Sequence, residues 1–91
     1  METTVLEDIV SEMRDEFQIP PYYDDAQLKN LAKEGYFALD KLNSGQDIKN
    51  DLQFRMLVKN YMYYGVHHRV NEFFDNYGQT ILGWQANTEV L

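Results

Sequence analysis

The side chains with most scope for chemistry are two adjacent histidines, His67 and His68, and a carboxylate four residues further on, Glu72. Consecutive residues on a helix point about 100° apart, so the two imidazoles cannot share one face of a metal ion. His68 and Glu72 have the i, i+4 spacing of two ligands or of an ion pair. A zinc site needs a third and fourth ligand, and none is evident, so the trio reads as polar helix surface. The chain has no cysteine, which excludes a thiolate site, a disulfide and a Cys nucleophile. The acids between Asp40 and Asp51 superficially resemble a calcium loop, but Leu42 stands where the third loop position needs an oxygen. The early carboxylates have no apolar surroundings that would split their pKa values into an acid and a base. Glycine-rich phosphate loops, nucleophile elbows and dinucleotide fingerprints are missing from the sequence. The expectation is a protein that is not an enzyme and holds no metal or cofactor.

Charge and aromatic content point to binding rather than catalysis. The 91 residues carry a formal net charge of −7, and it is uneven. Up to Asp25 there are eight acids and one base, Arg14; the remainder balances seven of each. This is either a solvated acidic face or a surface for a basic partner. Neither meets phosphate well, because nucleic-acid binding uses a positive patch. Seven Tyr, five Phe and one Trp make the chain rich in rings. Tyr61, Tyr63 and Tyr64 cluster and can serve as core filler with hydroxyls at the surface, or as a subunit interface. As a stacking platform for bases they lack a basic groove.

The elements that would carry these residues are helices in one domain spanning 1–91. The first is expected over about 4–17, with Leu6, Ile9, Val10, Met13 and Phe17 on one stripe. Thr3 or Thr4 would cap it, Glu7 completing a capping box with Thr4, and Pro20-Pro21 would stop it. The second is expected over about 25–42, opened by an Asp24–Gln27 capping box. Its stripe is Leu28, Leu31, Ala32, Gly35, Leu39 and Leu42, with Tyr36 and Phe37 widening the apolar arc. Gly35 marks a close helix contact, and Gly45 a left-handed cap.

The third helix is expected to run from about 47 to 76, roughly 45 Å at 1.5 Å per residue. From Phe54 to Val66 it is apolar nearly all round, so it must be buried by its own domain or by neighbours. Two shorter helices cannot cover such a length, which is a first hint of a partner. After Gly78 the pattern stops. The segment 78–91 reads as a nearly uncharged tail, mobile in the free protein, with Ile81, Leu82 and Trp84 as docking anchors. Folding back of these residues to finish the core is the competing reading. No run approaches the ~18 apolar residues of a membrane span, and Met1–Val10 does not read as a secretory signal.

The order of features resembles the small head–tail connector proteins of tailed bacteriophages, also called head-completion or adaptor proteins. Asp24-Asp25-Ala26-Gln27-Leu28 opens a helix continuing through Leu31, Tyr36 and Leu39. A turn leads to Asp47-Ile48-Lys49 and a long, tyrosine-rich apolar helix. That helix ends in Val70-Asn71-Glu72-Phe73-Phe74-Asp75-Asn76-Tyr77, and a short tail follows. The likeness covers about Leu6 to Gln85. It implies an all-α bundle of about three helices without catalysis, located in the virion at the head–tail interface and in the host cytoplasm during assembly. The implied partners are the portal protein, a stopper or tail-completion protein, and further copies of the chain in a twelve-fold ring. No basic stripe is evident for lining a DNA channel, so direct DNA contact is not implied. The candidate assembly interface is Tyr61, Tyr64, Phe73, Tyr77, Ile81, Leu82 and Trp84. The alternative reading is a small acidic regulatory or inhibitory module, such as a nucleic-acid mimic.

Overall fold

The first helical stripe lies where its spacing puts it: α1 spans Thr3–Glu16 and buries Val5, Leu6, Ile9, Val10 and Met13. The computed structural model describes residues 1–89 and adds α2 (Asp25–Asp40), α3 (Leu52–Val66) and α4 (Val70–Glu89). The described residues contain no strand, so the class is all-α, with four helices rather than about three. The N-cap of α1 is Glu2, which makes no side-chain capping bond. Thr3 and Thr4 therefore lie inside the helix, and the expected Thr4–Glu7 box does not form. At α2 the expected box is present. The Gln27 amide donates to Asp24 Oδ1 at 2.8 Å, and the Asp24 amide donates to Gln27 Oε1 at 3.1 Å.

The turn from α2 to α3 is built by acids in succession. Asp47 accepts from the Lys49 amide and from the Asn50 side chain, at 3.0 and 2.7 Å. Asp51 Oδ1 then accepts from the amides of Gln53 and Phe54, both at 3.1 Å. Two capping carboxylates close together hold 47–51 as a turn, and the helix expected from 47 begins at Leu52. Gly45 has φ +84°, the left-handed conformation expected of it, but α2 is capped earlier, at Lys41, so Gly45 shapes the turn and does not cap the helix. The glycines facing across α2 and α3 are close-packing points. A Cβ at Gly35 would stand 2.9 Å from Tyr61 Cδ1, and one at Gly65 would stand 2.6 Å from Leu31 Cδ2.

The largest departure from the sequence reading is the break at His67-His68-Arg69. The Arg69 amide donates to the Tyr64 carbonyl at 2.8 Å and the His68 amide to the Gly65 carbonyl at 3.1 Å. This is the paired six-to-one and five-to-two bonding that closes a helix on a left-handed residue. That residue is His68, φ +57°, one of the few side chains enriched there. The break reverses the chain and lays α4 along α3. The long apolar helix is thus covered largely by its own chain, and the length mismatch that hinted at a partner disappears.

The expected tail is likewise corrected over 78–89, where α4 continues without interruption; residues 90–91 lie outside the described residues. Val70, Phe73, Tyr77, Ile81 and Trp84 recur at three- and four-residue steps and bring one stripe onto the core. Two interior glycines cost about 1 kcal/mol each in helix propensity. Burying Ile81 and Trp84 returns about 1.5–3 kcal/mol apiece, so the helix wins. Around α3, α1 runs parallel, since Glu12 reaches Arg55 and Phe17 meets Tyr63. α2 and α4 run antiparallel to it. α4 packs on α3; among the described residues its backbone does not approach α1 or α2, and Gln85 reaches across to donate to the Leu42 carbonyl just past α2 at 2.6 Å.

Candidate protein-docking face

Four of the seven residues proposed for assembly lie inside the chain's own core. Phe73 and Trp84 are fully buried, and Tyr61 and Ile81 nearly so. Phe73 is the hub of an aromatic cluster with Tyr61, Tyr64, Phe74 and Tyr77. Trp84 packs on Phe54 at 5.0 Å between ring centroids and donates its indole N–H to Asp51 Oδ2 at 2.8 Å. Tyr64 and Tyr77 are half-buried; Tyr64 Oη accepts from Asn76 Nδ2, and Tyr77 Oη donates to Asn60 Oδ1, each at 2.9 Å. Burial raises the Tyr61 phenol above its ordinary pKa, with Glu34 adding to the shift; burial, then Tyr64, does the same at Tyr77. As an accessible interface the seven-residue set is therefore corrected. Its members are drawn inward because α4 folds back, and Leu82 is the one that stays exposed.

What is open instead is a stripe on α3. Leu52 is 75% exposed, Met56 36% and Tyr63 36%. They stand four and seven residues apart, so they share one side of the helix. That side faces the gap between α1 and α4. The α4 margin of the gap is set by the Asn76–Tyr64 and Tyr77–Asn60 bonds, which turn the Asn76 side of α4 towards it. Gly83, seven residues beyond Asn76, has nothing within 4 Å of where a Cβ would stand.

The α1 margin is ionic. Lys59, 9% exposed, donates to Glu12 Oε1 at 3.0 Å and to both oxygens of Glu16 at 2.8 and 2.9 Å. Arg55 grips Glu12 with two bonds, 3.1 and 2.8 Å. Burial pushes the Glu12 carboxyl up, but hydrogen bonding and charge from Lys59, with Arg55, outweigh it and leave it below its ordinary value. Burial likewise pulls Lys59 down, and Glu16 and Glu12 together raise it above the usual lysine value. Asp8 and Asp15 share the Glu12 side of α1 at i−4 and i+3, are exposed, and make no ion pair among the described residues.

The histidine trio is rearranged. His68 sits at the helix break, and Glu72 pairs with Arg69 at 2.6 Å, not with His68. No cluster of three His, Cys, Asp or Glu able to hold a metal occurs among the described residues. Every buried side-chain N or O among them has a hydrogen-bond partner. Phe37, expected to widen the apolar arc of α2, is instead 62% exposed under the Lys41 ammonium, 4.2 Å from its ring centroid. No helix among the described residues is long and apolar enough to cross a membrane.

The sequence reading missed both margins of this face. The signal for the ionic one was available: Glu12/Glu16 and Arg55/Lys59 are complementary i, i+4 pairs on different helices. For Leu52 and Met56 there was none, because a helix apolar on every side does not declare which side stays open. No family model, curated protein or solved structure significantly matches the chain.

Proposed function

We propose that this chain is a non-catalytic, protein-docking adaptor, and that the assembly it serves is the one its sequence resembles, a ring on the portal of a tailed bacteriophage that joins head to tail or stopper. The observation that carries the docking role is the Leu52–Met56–Tyr63 stripe. It lies open in a helix-lined gap while most of the remaining apolar surface of α3 is covered. Exposed apolar side chains grouped on one helix side and rimmed by polar residues are how monomers present interaction sites. The head–tail role adds the order of sequence features to that observation. Against the acidic-mimic alternative stand the Glu12, Glu16 and Asp25 ion pairs, which neutralise three of the eight early acids.

The test is to add the purified chain to purified portal rings and image the mixture by electron microscopy. An added ring of density on one face of the portal is expected. Bare portals at saturating chain concentration would reject the head–tail role.

A further inference from the structure

We infer that the gap over α3 receives an amphipathic helix from a partner protein, one with an apolar stripe and a row of Lys or Arg along one flank. The inference rests on the adaptor reading and supplies the class of partner. Leu52, Met56 and Tyr63 run about 16 Å along α3, some three helical turns, so the floor suits a helix laid alongside. Neither wall closes over it: α1 and α4 both pack on α3, and among the described residues their backbones do not approach each other. The α4 wall offers Asn76 and the bare backbone of Gly83, which permit a close approach on that side. The α1 wall carries the uncompensated carboxylates Asp8 and Asp15, since Glu12 and Glu16 are already held by Arg55 and Lys59.

That asymmetry names the occupant. A second copy docking by the same face would bring two acidic rims of a −7 chain together, as two-fold contacts juxtapose like surfaces. A helix with cations on its α1 side satisfies Asp8 and Asp15 while its apolar stripe covers the floor, the groove mode of helix recognition.

The experiment titrates the full, isotope-labelled chain with a synthetic 18-residue amphipathic peptide, Leu on one stripe and Lys along one flank, followed by amide shifts. Two control peptides replace Lys by Glu, or Leu by Gln. Shifts are expected at Leu52, Met56, Asn60 and Tyr63 and along Asp8 to Asp15, with both controls binding at least about tenfold more weakly. Met56→Lys is expected to weaken the Lys peptide by about tenfold or more, and Asp8→Lys with Asp15→Lys to weaken it and flatten its salt dependence. Phe37→Lys, away from the gap, leaves affinity unchanged. Equal binding of the Glu peptide, shifts confined to another face, or indifference to Met56→Lys overturns the inference, with circular dichroism establishing that each variant is folded. Peptide binding at this site without a ring on the portal upholds the inference and rejects the head–tail role; a ring without peptide binding does the reverse.

Discussion

The indole N–H of Trp84 donates to Oδ2 of Asp51 at 2.8 Å, while Oδ1 of the same carboxylate caps the first turn of α3. One side chain thus ends a turn, starts a helix and anchors the last turns of another. Trp84→Ala is expected to destabilise the monomer by about 3–5 kcal/mol, the range for deleting a buried Trp. Trp84→Phe keeps a ring against Phe54 and loses the bond, at about 1–3 kcal/mol. Asp51→Ala removes the cap, about 1 kcal/mol, and also the bond from the indole N–H to Oδ2. Denaturant melts check the order. An unchanged melt for Trp84→Ala would restore the tail to a docking role.

Lys59 is held by Glu12 and Glu16. Lys59→Met should cost about 1–2 kcal/mol, less than a fully buried pair because Glu16 is exposed. The pH dependence has a definite sign. Glu12 lies below its ordinary 4.5, so its contribution is present above that pH and lost as pH falls through the lowered value. Lys59 lies above its ordinary 10.5, so its contribution is present below that pH and lost as pH rises through the raised value. Stability from this cluster should be flat between the two limits and fall beyond both. Lys59→Met should remove the alkaline fall and shrink the acid one. Melts across the pH range would show it.

His68→Gly should stabilise the chain. A left-handed conformation costs an L-residue about 1–2 kcal/mol, and glycine adopts it freely. A gain of about 1 kcal/mol would raise the melting temperature of a domain this size by roughly 4–8 °C. A lower melting temperature would show that the imidazole contributes more than its strain costs.

The glycines divide by what surrounds them. Gly78 lies within α4 with nothing inside 4 Å of a Cβ, so Gly78→Ala should add about 1 kcal/mol of helix propensity. Gly35→Ala drives a methyl against the Tyr61 side chain, whose ring Cγ and whose Cβ lie 3.1 and 3.3 Å away, and should cost about 1–3 kcal/mol. Parallel thermal melts decide whether the signs are opposite.

Local chemistry was legible in the residues themselves. The α1 stripe, the Asp24–Gln27 box, the Pro20-Pro21 stop and the Gly45 turn each depend on neighbours a few positions away, where spacing and residue type carry the information. At Gly35 the residue type announced a close contact, but its partner, Tyr61 on α3, came only with the fold. The candidate interface was legible only as a set of aromatic and aliphatic residues. Whether Trp84 faces a partner or Phe54 depends on where α4 lies, and that is decided by a histidine in a left-handed conformation rather than by a glycine or proline. The same fold-back selects Leu52, Met56 and Tyr63 as the open side of α3, since burial is a property of what packs opposite a residue. Sequence by itself determined the all-α class, the first two helices and where the apolar residues fall along the chain. The tertiary structure decided which apolar residues are core and which are surface, because an interior exists only once the helices are docked.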